Sequence, residues 1–320
     1  MKRILFLATG GTIACGQTPE GLTPKISSEE LVSFLPQINE LCEVTAEQPF
    51  SLDSTNMSPR EWCALAATIR RRYDEFDGFV IAHGTDTMAY AAAALSCLIQ
   101  NSAKPVVITG SQKPMTAPES DAPRNLRDAF LCAADGSLSG VLVVFRGRII
   151  DGRCAAKVHT REHDAFRSIN RADVGSVSED GKVSAHCEKP VGNAVFYDKM
   201  DARIAVAKLT PGVPLNVCEK GLRAVIVEGF GTGGLPDYGG AETEREVSRL
   251  AAGGIYVIMT TQVMCGGTDL SIYKVGSGAK QGHILEAGLM TREMCAMKAM
   301  WALAYSDSRE EFEELFGRQI

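Results

Sequence analysis

The stretch Lys2-Arg3-Ile4-Leu5-Phe6-Leu7-Ala8-Thr9-Gly10-Gly11-Thr12-Ile13 decides the fold. An apolar run closed by paired glycines reads as a buried strand feeding a sharp turn, since glycine admits backbone conformations that other residues avoid. Similar units follow it: short apolar runs predict strands over Lys2 to Thr9, Glu43 to Phe50, Gly78 to Ala82, Pro105 to Thr109 and Gly140 to Phe145, with helical segments between them. That alternation predicts an α/β fold whose large amino-terminal domain is a doubly wound, mostly parallel sheet. Two helix starts are signalled by capping boxes, Ser27 with Glu30 and Ser58-Pro59-Arg60-Glu61, and an alanine-rich helix is expected over Met88 to Gln100.

After Asp151-Gly152 the pattern becomes irregular. The domains are expected at 1–190 and 213–320, joined by a connection over 191–212 that holds one extended segment. The smaller carboxyl-terminal domain repeats the parallel α/β pattern, with strands at Ala224 to Val227 and Ile255 to Thr260. Its helices fall at Glu242 to Ala252, Arg292 to Leu303 and Arg309 to Leu315.

With 320 residues, 45% of them hydrophobic, the chain can fill a sizeable core. Its 39 acidic and 33 basic residues are interspersed, leaving a net charge of -6 with no block suited to nucleic acid or a polybasic membrane contact. A small molecule is the expected partner. The amino-terminal apolar run is too short, and too soon broken by Gly10-Gly11, for a signal peptide, and no run of roughly 18 apolar residues predicts a membrane span. Ten cysteines without framework spacing suit reduced thiols and a cytoplasmic location.

Open α/β sheets bind ligands beyond the carboxyl ends of their strands, which directs attention to the loops Thr9 to Ile13, Ser51 to Met57, His83 to Thr87 and Gly110 to Pro123. Thr12, at the sheet's edge after two glycines, is either an exposed nucleophile or part of a plain tight turn. In His83-Gly84-Thr85-Asp86-Thr87, Asp86 can cap the following helix or hold the ammonium of an amino acid. A threonine hydroxyl needs a base or a cation nearby to attack, and Lys157 is either that group or an ordinary surface lysine.

Taken together, Thr9-Gly10-Gly11-Thr12-Ile13 and, about seventy residues on, His83-Gly84-Thr85-Asp86-Thr87-Met88 resemble the two signature segments of the bacterial-type L-asparaginase family. So do Leu52-Asp53-Ser54-Thr55-Asn56-Met57, Pro105 to Gln112, and Asp151-Gly152-Arg153 through Lys157. Thr260-Thr261-Gln262 and Gly266-Gly267-Thr268-Asp269-Leu270 resemble the short cytoplasmic subgroup.

The resemblance implies an amidohydrolase that releases ammonia from L-asparagine, or from L-glutamine as well, by attack of Thr12 and an acyl-enzyme. Thr85, helped by Lys157, would activate the water or the nucleophile. Ser54 and Asp86 would hold the substrate carboxylate and ammonium, with Thr55 in the same pocket wall, and backbone N–H groups of the glycine loop and Thr85 would hold the oxyanion. It implies no metal, no organic cofactor, and a homodimer or homotetramer with the site near a subunit boundary, which makes Asp269 and Tyr273 candidates to reach a neighbour. One position departs from the pattern. Family members usually carry a tyrosine in the mobile loop after the first strand, whereas Gly16 to Ile26 has none and Leu22 stands about where it is expected. Leucine cannot exchange a proton.

Three other readings compete. His159-Thr160-Arg161-Glu162-His163 fits a zinc-hydrolase spacing, but its flanks predict loop rather than the helix such a motif needs. Gly229-Phe230-Gly231-Thr232-Gly233-Gly234 fits a dinucleotide-binding spacing, but Pro236 follows and the next strand ends without the acid expected on the ribose. The amidase component of a tRNA-dependent transamidation complex would keep the fold. The absence of a domain ahead of the first strand and of a basic patch for tRNA counts against it.

Overall fold

The computed structural model describes residues 1–18, 21–185, 187–272 and 284–320, apart from the side chains of 17, 18, 21–24 and 272. The chain divides into two compact units, Met1–Asp198 with Ile320, and Lys199–Gln319.

The first unit begins with β1 (Lys2–Ala8), the hairpin β2 (Cys15–Thr18) and β3 (Gly21–Pro24), α1 (Ser28–Ser33), α2 (Ile38–Leu41), β4 (Cys42–Glu47) and α3 (Pro59–Arg72). It continues with β5 (Gly78–Ala82), α4 (Met88–Leu98), β6 (Ile99–Gln100), β7 (Pro105–Thr109), α5 (Ala122–Ala134), β8 (Gly140–Phe145) and β9 (Arg148–Asp151). Short strands complete it: β10 (Ala155–Lys157), β11 (Phe166–Ser168), β12 (Gly175–Val177), β13 (Val183–Ala185) and β14 (Val195–Phe196). Eight of these form one sheet in the order β13-β12-β9-β8-β7-β5-β1-β4. From β8 to β4 all neighbours are parallel, whereas β9, β12 and β13 pair antiparallel.

Two helix layers make the sheet doubly wound. Ile4, Phe6 and Ala8 of β1 pack with Leu31, Ile38, Leu126, Ala129 and Phe130 from α1, α2 and α5, and the Phe6 and Phe130 rings lie 5.5 Å apart. Leu5 and Leu7, equally buried, point to the opposite face because strand side chains alternate; α3 and α4 pack together there, and α4 meets β7 and β8. Burying a side chain of this size stabilises the fold by about 2 kcal/mol.

Local chemistry sets the boundaries. The strand expected to run to Phe50 ends at Glu47, since Pro49 has no N–H for the ladder. The helix expected to reach Gln100 ends at Leu98, where Ile99 turns extended and pairs with Phe196. Both capping-box glutamates reach back, Glu30 to the Ser27 N–H at 2.8 Å and Glu61 to the Ser58 N–H at 3.0 Å.

In the second unit, β15 (Ile204–Lys208), β16 (Ala224–Gly229), β17 (Tyr256–Thr261) and β18 (Ile284–Glu286) form a parallel sheet in that order. Its helices are α6 (Glu242–Ala252), α7 (Arg292–Ala304) and α8 (Arg309–Gly317). Val225, Val227, Val247, Leu250, Val257 and Met259 form its core. The edge strand β15 comes from the stretch read as a connection. The glycine run after β16 closes on itself, Phe230 bridging Gly234, and α6 starts only at Glu242, so no helix N-terminus stands over it to receive a pyrophosphate.

No described helix is long and apolar enough to cross a membrane, and among the described residues no group of three His, Cys, Asp or Glu could hold a metal. No disulfide bond joins any of the ten cysteines.

Candidate active site

Counted along the chain, the parallel strands β1, β4, β5, β7 and β8 lie in the order 2-1-3-4-5, with the direction of winding reversed between β1 and β5. Loops leaving the two strands at such a switch point diverge and open a crevice. Here they are the Thr12 loop and the Thr85 loop.

Gly10 and Gly11 hold φ of +102° and +76°. The Gly11 N–H donates to Leu52 O at 3.0 Å, which ties the first loop to the one after β4. Thr12 begins a 3-10 turn and is half-buried, and among the described residues nothing hydrogen-bonds its hydroxyl. Gly11 rests on Gly84, so Thr12 and Thr85 each follow one member of a touching glycine pair.

The loop after β5 carries a connected polar group. Lys157, at the end of β10, donates from Nζ to Thr85 Oγ1 at 2.9 Å and to Asp86 Oδ1 at 2.6 Å. The lysine side chain is 16% exposed and the aspartate 60%, so the carboxylate stays open to a second cation. Asp86 does not cap α4; Thr87 occupies that position, and its hydroxyl donates to Ser54 O at 2.7 Å. Thr85 is buried, and among the described residues no acceptor meets its backbone N–H. Buried amides are rarely left so.

His83 is fully buried; its Nδ1 bonds Gly84 O at 2.7 Å while Nε2 has no partner among the described residues. Burial pushes the imidazole down to about 4, partly offset by the bond to Gly84. It therefore stands neutral beside the site.

Ser54 is buried with its Oγ over Gly84. Thr55 is placed otherwise: it is exposed, and its hydroxyl and N–H both turn back to Asp53 at 2.9 Å, the aspartate capping a 3-10 turn. No hydrogen bond joins it to the rest of the group among the described residues. β3 pairs Leu22 with Gln17 through the backbone, and the Leu22 side chain and Tyr273 lie outside the described residues.

Sequence reasoning gave no role to Gln112, which accepts from Thr85 Oγ1 at 3.1 Å and donates from Nε2 to Glu162 O at 3.1 Å. Its loop is organised by buried Asp121, which accepts from the N–H groups of Gln112 and Lys113. An aspartate nine residues on, just ahead of a proline-marked helix start, was the only available signal. Glu162 belongs to the His-x-x-Glu-His segment, which forms the turn between β10 and β11 instead of a helix.

A doubly wound sheet with a threonine–lysine–aspartate group at its switch point, followed by a smaller parallel α/β unit, defines a two-domain α/β enzyme. Residues 3–190 match the family described as "Asparaginase, N-terminal", and residues 203–316 the "Glutaminase/Asparaginase C-terminal domain". The chain belongs to the asparaginase family. It is 38% identical to an L-asparaginase of Thermococcus kodakarensis, over 99% of this chain and 98% of that one. A solved structure of the thermostable L-asparaginase from that organism superposes with a TM-score of 0.89 at 35% identity, covering 99% and 97% of the two chains. A probable cytoplasmic L-asparaginase from Campylobacter jejuni gives 0.85 at 27% identity with both chains fully covered. One component of the glutamyl-tRNA(Gln) amidotransferase of Pyrococcus furiosus is 32% identical over 98% of this chain and 75% of its own length.

Proposed function

We propose that this chain is an L-asparaginase in which Thr12 attacks the side-chain amide carbon of L-asparagine, ammonia leaves, and water releases L-aspartate from the acyl-enzyme. The observation that carries this reading is the bonded set Thr85–Lys157–Asp86 at the switch point, one glycine contact away from Thr12. In the proposed cycle Asp86 holds the substrate ammonium through its open oxygen, Ser54 the carboxylate, and the Thr85 N–H meets the oxyanion, a donor typically worth about 3 kcal/mol. Leu22 stands where the family tyrosine is expected, so Thr85 and Lys157 handle the protons.

The test is ammonia release from asparagine, glutamine and their D forms by the wild type, Thr12→Ala and Thr85→Val. Asparagine turnover lost by more than about a thousandfold in Thr12→Ala is expected; full activity in that variant removes the central claim. A second reading makes Thr85 the nucleophile, favoured by its 2.9 Å contact with Lys157. Mass spectrometry of the trapped acyl-enzyme assigns the adduct to one threonine. Use as a component of a transamidation complex, suggested by the P. furiosus relative, predicts no turnover of free asparagine without a tRNA partner. A homodimer or homotetramer in the cytoplasm completes the proposal, with sedimentation as its check.

A further inference from the structure

We infer that Gln112 is a positioning residue that sets the direction of the hydrogen bond between Thr85 and Lys157. The inference rests on the reading that these two groups handle protons during amide hydrolysis. A glutamine carboxamide has one accepting and one donating end. Here the donating end is committed: Nε2 gives its proton to Glu162 O, a carbonyl that can only accept. Oε1 must therefore face Thr85, and the flipped amide would set two carbonyl oxygens against each other. Facing an obligate acceptor at 3.1 Å, the Thr85 hydroxyl spends its single proton on Gln112. Toward Lys157 it has only lone pairs to offer, so the lysine must be the donor in the 2.9 Å contact, and it also donates to Asp86.

With the Thr85 proton held on Gln112, both bonds that Lys157 makes within the group run outward from Nζ. Substrate arrival at Asp86 would weaken one of the two bonds that Lys157 donates. Once Lys157 has given a proton to the ammonia that leaves, its lone pair is free and the Thr85 proton can swing from Gln112 to it. One hairpin holds both ends of this device, since β10 ends in Lys157 and the following turn supplies the Glu162 carbonyl. The other charged or titratable groups on these segments are His83 on the Thr85 loop, Lys113, Glu119 and Asp121 on the Gln112 loop, and His159, Arg161, Glu162, His163 and Asp164 on the hairpin turn. Among the described residues only Asp86 forms an ion pair with Lys157.

Two variants separate direction from mere packing. Gln112→Met keeps length and shape and removes the acceptor, freeing Thr85 to donate to a neutral Lys157. Gln112→Glu keeps an acceptor and adds negative charge, which favours the ammonium more strongly. The readout is the rate at which Lys157 is acylated by an N-hydroxysuccinimide ester at fixed pH, followed by mass spectrometry against surface lysines of the same chain, because only the neutral amine reacts. Relative to wild type, the rate is expected to rise about threefold or more in Gln112→Met and to fall in Gln112→Glu, the thermal midpoint of each variant being measured to confirm that it is folded. Alongside, kcat for asparagine is expected to fall about tenfold in Gln112→Met with KM within about twofold. Lys157 reactivity that stays put, or moves the same way in both variants, overturns the inference whether or not the enzyme turns over asparagine. Absence of ammonia release by the wild type, with reactivity shifting in opposite directions, would instead sink the asparaginase reading and leave this one standing.

Discussion

Gly11 and Gly84 lie back to back at the switch point: a β-carbon on Gly11 would sit 2.4 Å from both the Cα and the N of Gly84. Neither backbone can yield, since Gly11 is also bonded to Leu52, and its φ of +76° is closed to alanine without strain. Gly11→Ala is expected to lower stability by about 3 kcal/mol or more and to cut activity at least tenfold by pushing Thr12 away from Thr85. Urea midpoints and ammonia release check both; an unchanged midpoint would refute the contact.

Lys157 lies between Thr85 and Asp86, and its substitutions separate charge from proton exchange. Lys157→Met is expected to lower kcat by about a thousandfold. Lys157→Arg restores the positive charge toward Asp86 but cannot give up a proton, so it is expected to recover KM and not kcat. Steady-state kinetics on asparagine decides, and an active Lys157→Arg would show that charge alone suffices.

The two strands flanking the site were legible because a buried parallel strand is apolar throughout and its loop is marked by glycine; β1 and β5 show both signals. Antiparallel β12 and β13 gave none, being three residues long, with serine at the centre of each and backbone pairing doing most of the work. Thr12, Thr85, Asp86 and Lys157 were singled out as candidates from their loops and from resemblance, but the contact of Lys157 with Asp86, 71 residues apart, depends on how the β10 hairpin meets the loop after β5. Thr55 shows the reverse case. Its motif invited a pocket role, yet Asp53 beside it captures the hydroxyl as a cap, a local bond that spacing alone does not rank. Gln112 had only Asp121, nine residues on, to mark its loop, because its own bonds depend on which way an amide faces.

His83 gives the protein a predictable acid limb. Its imidazole titrates near 6.5 in the unfolded chain and at about 4 when buried. Between these values the unfolded state binds the extra proton, so stability rises with pH across that window. The contribution is complete above about 6.5 and lost as pH falls to about 4, amounting to about 3 kcal/mol. His83→Gln is expected to flatten this part of the profile. Urea midpoints of both proteins at pH 4.5 and 7 measure it, and an equal drop in each would assign the acid sensitivity elsewhere.

Leu22 tests how the proton leaves Thr12. Its backbone pairs with Gln17 in the hairpin just after the Thr12 turn, and a tyrosine there would restore the phenol that the family resemblance expects at about this position. If Thr85 and Lys157 already carry the proton, the phenol is redundant for attack, and Leu22→Tyr is expected to leave kcat within about threefold of wild type. The double variant Leu22→Tyr with Lys157→Met is the sharper measurement. A phenol that can replace the lysine would restore activity to it, whereas a proton route running only through Thr85 and Lys157 leaves it as inactive as Lys157→Met alone. A rise of about tenfold or more in Leu22→Tyr itself would mean that deprotonation of Thr12 limits the natural enzyme and that the leucine, not the lysine group, sets its rate.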